Sequence, residues 1–250
     1  MPLIYEILLL STIGFLVGII NTLSGGGSIL TLPVLIFLGL DTAVANGTNR
    51  IAIFLQNLSS LAGFKSKGFH AGKLSWYLGV ASLCGSVVGA LLAIEIKDAI
   101  FNKILALVMV LVVIFMFIKP SGGTDVSTEK LTGKPLVLST IFFFFIGIYG
   151  GFIQAGTGIF MMLVLSAVNH LSLVKTNVVK ALVMLIYTTG ALAVFLYFGK
   201  VNFKYGLLLA GGQSLGGWLS SRWSVKKGDG IIKGFMLVMV LVIAVKLWFF

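Results

Sequence analysis

The stretch Asn21-Thr22-Leu23-Ser24-Gly25-Gly26-Gly27-Ser28-Ile29-Leu30 sets three consecutive glycines inside an otherwise apolar run. Each glycine disfavours a helix interior by about 1 kcal/mol relative to alanine, so three in a row break a helix that enters them. A second break lies in the other half of the chain, at Gln154-Ala155-Gly156-Thr157-Gly158. The surroundings of both breaks set the fold class. Hydrophobic residues make up 58% of the 250 and charged residues 10%, against roughly 25% charged in an ordinary soluble domain. The mean hydropathy is +1.11. Such a surface belongs in lipid, where backbone polar groups must be satisfied inside the protein. The expected fold is an all-α polytopic membrane protein.

Working outward, apolar runs fall at 3–23, 28–40, 44–64, 75–95, 100–118, 136–154, 158–169, 176–198, 204–221 and 231–250. A full span needs about 20 residues. The runs 28–40 and 158–169 are shorter, reaching only ~20 Å at about 1.5 Å per residue. Each reads, with the run before it, as a re-entrant pair or as two short spans. Residues 1–5 carry no Lys or Arg, so the first run reads as a retained span rather than a cleaved signal. A polar connection at 119–135 separates a first transmembrane repeat, 1–118, from a second, 136–250.

The halves share a register. Placing Gly25 on Gly156 also brings Gly27 onto Gly158, Leu40 onto Leu171, Asn46 onto Asn177, Ala62 onto Ala193 and Lys73 onto Lys204. With small gaps, Gly14 and Gly18 meet Gly147 and Gly151, and Gly85 and Gly89 meet Gly212 and Gly216. The run Leu107–Val112 recurs as Leu237–Val242. If each broken segment folds back on itself, most cations gather on one side, among them Lys65, Lys67, Lys73, Lys134, Lys175 and Arg222. Lys97, Lys103, Lys200 and Lys204 stay on the other. That bias fits the positive-inside rule, inverts the second half relative to the first and puts both termini outside.

Paired glycine breaks at matching places in two halves point to a binding site near the midplane. Helices starting at Ser28 and Ile159 would aim backbone N–H groups and a positive dipole end at it, which favours an anion. Ser24, Gly25, Gly26, Gly27 and Ser28, with Gln154, Gly156, Thr157 and Gly158, are the backbone candidates for substrate binding. The side-chain candidates are Asn46, Thr48, Asn49, Arg50, Asn177 and Lys180. Other readings stay open. The glycines could serve only close helix packing, as Gly14/Gly18 and Gly85/Gly89 are expected to. Asn46, Thr48 and Asn49 could cap a helix. Gln154 and Gln213 could cross-link helices or line a path.

The acidic residues all lie at run ends or in the central connection, so no span buries a carboxylate and a cation substrate is disfavoured. Cys84, the one cysteine, reads as a small buried residue. His70 and His170 sit at loop edges. No nucleophile elbow, phosphate loop or paired metal ligands occur, so no catalytic residues, metal or cofactor are expected. The net charge of +11 is spread over the junctions between runs, which excludes a nucleic-acid patch.

In these residues the sequence resembles the TauE/SafE sulfite exporter family, also called the toluene sulfonate uptake permeases. The resemblance rests on Asn21–Leu30 with Pro33 following, on Ala45-Asn46-Gly47-Thr48-Asn49-Arg50, and on Gln154–Gly158. Lys175-Thr176-Asn177-Val178-Val179-Lys180 and Gly199-Lys200-Val201-Asn202-Phe203 extend it over nearly the whole chain. It implies a bacterial inner-membrane transporter of sulfur-containing anions such as sulfite, sulfoacetate or related organosulfonates. The second half departs from the family pattern: Thr157 interrupts the glycines and Val164 stands where Pro33 would repeat.

The expected function is transport of a small anion by alternating access, one half rocking or sliding against the other. An anion channel using the same site, or a membrane subunit that partners another protein without transport, are the alternatives. The expected partners are the anion and the bilayer; the sequence leaves a homo-oligomer open.

Overall fold

The structure, a computed structural model, describes residues 3–117 and 129–227. The final apolar run at 231–250, the Leu237–Val242 recurrence and residues 119–128 of the polar connection lie outside the described residues.

The described residues form helices α1 (Leu3–Leu23), α2 (Ser28–Phe37), α3 (Thr42–Lys65), α4 (Lys73–Glu95) and α5 (Asp98–Phe117) in the first half. The second half gives α6 (Lys134–Phe152), α7 (Thr157–Ala167), α8 (Leu173–Tyr197) and α9 (Phe203–Lys227), with no strand among the described residues. Helix starts follow local chemistry. Ser172 caps α8, its hydroxyl accepting from the Lys175 N–H at 3.4 Å, and α6 opens with Pro135 in its first turn. Among the described residues four helices are long and apolar enough to cross a bilayer: α1, α4, α6 and α8. Helix α3 is as long but carries buried Asn46, Thr48, Asn49, Arg50, Gln56 and Asn57. It can hold them because α8 and α9 flank it and keep those groups away from lipid.

Glycines set which helices meet. Gly14 and Gly18 of α1 press on the Leu209 and Gln213 backbone of α9, while Gly212 and Gly216 press on Ser11 and Phe15. The two helices therefore run in the same direction, and Lys204–Glu6, at 2.7 Å, ties their starts. The same arrangement joins α4 to α6: Gly85 and Gly89 meet Phe144 and Ile148, and Gly147 and Gly151 meet Ser82 and Ser86. In lipid there is no hydrophobic drive between helices, so close backbone packing of this kind supplies the attraction.

Helix α3 runs alongside α9, with Ile51 near Gly206 and Ser60 near Gly217. It runs against α8, where Gly47 faces Phe195 and Lys200 and Phe64 packs on Val178 and Ala181. The helices thus group across the sequence halves, α1 and α3 with α9, and α6 and α8 with α4, joined along α3 and α8. Helix α5 stays peripheral and enters the core through Phe101 and Leu105.

Two sequence expectations change here. Cys84 is exposed rather than buried, because α4 turns Ser82, Gly85, Ser86 and Gly89 inward and Cys84 falls on another face. Helix α7 begins at Thr157, not Ile159, since the left-handed Gly156 turns the chain into the helix two residues earlier.

Candidate functional site

Both breaks lie inside the protein and touch. Gly25 sits at φ +78° and ends α1; a Cβ there would stand 2.4 Å from the Gly158 carbonyl carbon. A Cβ on Gly158 would stand 2.5 Å from Gly25 Cα. No side chain fits between, so glycine at both positions is a condition of the crossing. Around it, all the sequence candidates are buried: Ser24 to Ser28, Asn46, Thr48 to Arg50, Gln154, Gly156 to Gly158, Asn177 and Lys180.

The two buried cations are placed reciprocally. Arg50 of α3 donates from Nη1 to the Gly150 carbonyl at 3.1 Å and from Nη2 to the Gly151 carbonyl at 2.5 Å. Asn46, one turn earlier, donates to the Phe152 carbonyl at 2.6 Å and accepts from Arg50 at 3.1 Å. Together they occupy the carbonyl end of α6. Lys180 of α8 does the same for α1, its Nζ donating to the Asn21 and Thr22 carbonyls at 3.0 and 3.1 Å. Asn177 accepts from Lys180 at 2.7 Å and donates to the Leu23 carbonyl at 3.4 Å.

Each half thus supplies the cation for the other half's broken helix. A cation at a helix C-terminus offsets the partial negative charge of the last carbonyls. At the positive N-terminal ends, the Ser28 N–H of α2 meets only the neutral Asn21 side chain, and no carboxylate among the described residues is buried, beside α2 and α7 or elsewhere.

Asn46, Thr48 and Asn49 lie within α3, which starts at Thr42 with Asp41 before it, so they do not cap it. Thr48 accepts from the Asn202 N–H at 2.8 Å, fixing the turn between α8 and α9. Asn49 has both side-chain polar atoms buried with no hydrogen bond among the described residues, and so does Arg50 Nε. Gln154 and Gln213 are unbonded in the same way, so neither cross-links helices through its side chain.

The sequence reading missed Asn21, Tyr187 and Thr188. Asn21 closes the first break: its Oδ1 accepts from the Ser28 N–H at 3.2 Å and its Nδ2 donates to Gln56 at 3.0 Å. Thr22 and Ser60 join hydroxyls at 3.0 Å beside them. At the second break the Tyr187 hydroxyl stands among Thr157, Thr188 and Gln154 without completing a bond to any of them. Overlaying the halves would have found this pair, because Gln56 and Asn57 fall on Tyr187 and Thr188.

Among the described residues no three His, Cys, Asp or Glu side chains gather into a metal site. The arrangement defines a multi-pass helical membrane protein whose centre is built from two touching broken helices and lined by donors. The family model described as Sulfite exporter TauE/SafE matches residues 10–247, and the chain belongs to that family. It is 29% identical over 233 residues to "Probable membrane transporter protein ORF9" of Sinorhizobium sp, covering 93% of this chain and 88% of the relative. It is 26% identical over 239 residues to a "Probable membrane transporter protein" of Haemophilus influenzae, covering 96% and 93%. A third relative, "Probable membrane transporter protein YfcA" of Escherichia coli K12, is 26% identical over 238 residues, covering 94% and 87%. No solved structure matches. The protein is a membrane transporter of this family rather than an enzyme.

Proposed function

We propose that the protein moves a small sulfur-containing anion, such as sulfite, sulfoacetate or a related organosulfonate, across a bacterial inner membrane by alternating access. The observation that carries this reading is the charge balance at the centre. Buried Arg50 and Lys180 hold the two broken helix ends, and Gly25 touches Gly158 at the start of α7, with no buried carboxylate among the described residues. The carbonyl ends that hold the cations carry only partial negative charge, so the centre keeps a net positive charge and favours an anion. The unbonded groups of Asn49, Arg50 Nε, Gln154, Tyr187 and Thr188 supply donors suited to oxyanion oxygens.

Two repeats of 1–118 and 136–250, inverted relative to one another, account for the helix directions. Helix α3 opposes α8 while α1 follows α9 and α6 follows α4. The moving bodies in this scheme are the two mixed helix groups rather than the two sequence halves. They slide along the α3–α8 seam, and the touching breaks open to one side at a time.

Proteoliposomes containing the protein test this. Uptake of radiolabelled sulfite or sulfoacetate, competed by the unlabelled anion, is expected. The purified protein should also be stabilised by ~2.7 kcal/mol at a ligand concentration of about a hundred times Kd. Flux of cations or neutral solutes, with sulfur anions neither carried nor stabilising, would remove this substrate class.

A further inference from the structure

A groove of about 610 Å³ opens on the outer surface where the start of α6 meets the turn between α7 and α8. Its upper wall carries Lys130, Lys134 and His170, and its lower wall carries Val137, Leu138 and Ile141. Lys134, Val137, Leu138 and Ile141 recur at helical spacing, so one face of α6 passes from a cation to an apolar stripe. Ile141 lies roughly 10 Å below Lys134 along the helix axis. The apolar side chains are 46% to 60% exposed, so no helix among the described residues covers them.

The basic rim is built rather than incidental. The Lys130 N–H donates to the Asn169 carbonyl at 3.1 Å, and the Asn169 side chain donates back to the Lys130 carbonyl at 3.0 Å. This clamp holds Lys130 beside His170. Glu129, next to Lys130 in the chain, is paired with Lys175 at 2.5 Å, and among the described residues no ion pair cancels the charge of Lys130 or Lys134. The groove faces the same end of the bundle as Lys65 and Lys73, the cation-rich end. On the cytoplasmic leaflet such an end meets anionic lipids.

We infer that this groove binds an anionic phospholipid, its phosphodiester held by Lys130, Lys134 and His170 and an acyl chain lying along Val137, Leu138 and Ile141. A soluble phosphate would satisfy the rim but leave the apolar wall bare. A zwitterionic lipid would cover the wall and lose the net charge attraction.

Native mass spectrometry and thermal melting of the full-length protein in neutral detergent test it, with phosphatidylglycerol, phosphatidylcholine and inorganic phosphate as probes. Phosphatidylglycerol should be retained at least about tenfold better than phosphatidylcholine and should raise Tm, whereas phosphate should not. The double variant K130Q/K134Q should lose that preference, and the exposed control K65Q/K73Q should keep it. Equal retention of the two lipids, an undiminished preference in K130Q/K134Q, or an equal shift with phosphate would each overturn the assignment.

Discussion

The two breaks share a plan and differ in how far they are closed. At the first, Asn21 joins the start of α2 to Gln56 of α3, so the turn's polar groups are satisfied from within. At the second, Gln154 stands three residues beyond Gly151 as Asn21 stands beyond Gly18, yet its side chain bonds to nothing among the described residues. Tyr187, in the place of Gln56, is likewise unbonded. Buried polar groups are normally paired, and leaving one unpaired costs about 1–3 kcal/mol. The first break therefore reads as scaffold, and the second as the side that holds donors ready for a ligand.

The largest effect should come from the contact the breaks share. Gly25→Val places a branched side chain where a Cβ already meets Gly158 backbone and where φ is positive. Overpacking alone costs about 1–3 kcal/mol. Uptake should vanish and Tm should fall steeply; wild-type uptake with normal Tm would show that the breaks do not touch.

The reciprocal cations come next. Lys180→Met strips the α1 carbonyl end of its cation, and Arg50→Met strips that of α6. Both should lower uptake by at least about tenfold, each kcal/mol or so of lost interaction counting strongly in a barrier. Arg50→Lys should recover little, since one ammonium cannot copy a planar fork that spans two carbonyls and lies 4.8 Å from the Phe195 ring. Full rescue by Arg50→Lys would reduce the fork to a point charge.

The sharpest test separates stability from transport. Asn21→Leu breaks two hydrogen bonds and should destabilise by about 1–3 kcal/mol. Gln154→Leu breaks none, so its Tm should match or exceed wild type while uptake falls. If both variants lose stability alike, the two breaks are equivalent scaffolds. The smallest effect is expected from Tyr187→Phe, a severalfold rise in KM for the anion with Tm nearly unchanged.

Much of this layout can be read in the sequence. Glycine clusters and apolar lengths place the described helices, and Gly14/Gly18 and Gly85/Gly89 mark helix contacts that do occur. The partners of Arg50 and Lys180 cannot be read, because they are backbone carbonyls, which every residue carries alike. The carbonyls lie about a hundred or more positions away in the other half. The grouping of α1 with α9, and of α4 with α6, is hidden for a related reason. Both members of each pair carry small residues spaced by four, a pattern that marks a contact without naming its partner. Cys84 shows the limit of composition: apolar surroundings along the chain do not tell a lipid-facing residue from one facing another helix.

The pairing of α1 with α9 also governs biosynthesis. Glu6 and Lys204 meet across 198 residues of chain. Helix α1 must therefore wait, its glycine face against lipid, until α9 has been made. Contacts of such long sequence separation form slowly and leave intermediates exposed. A ribosome halted after the first half would leave α1 and α4 in the membrane, each facing lipid where a helix of the second half belongs.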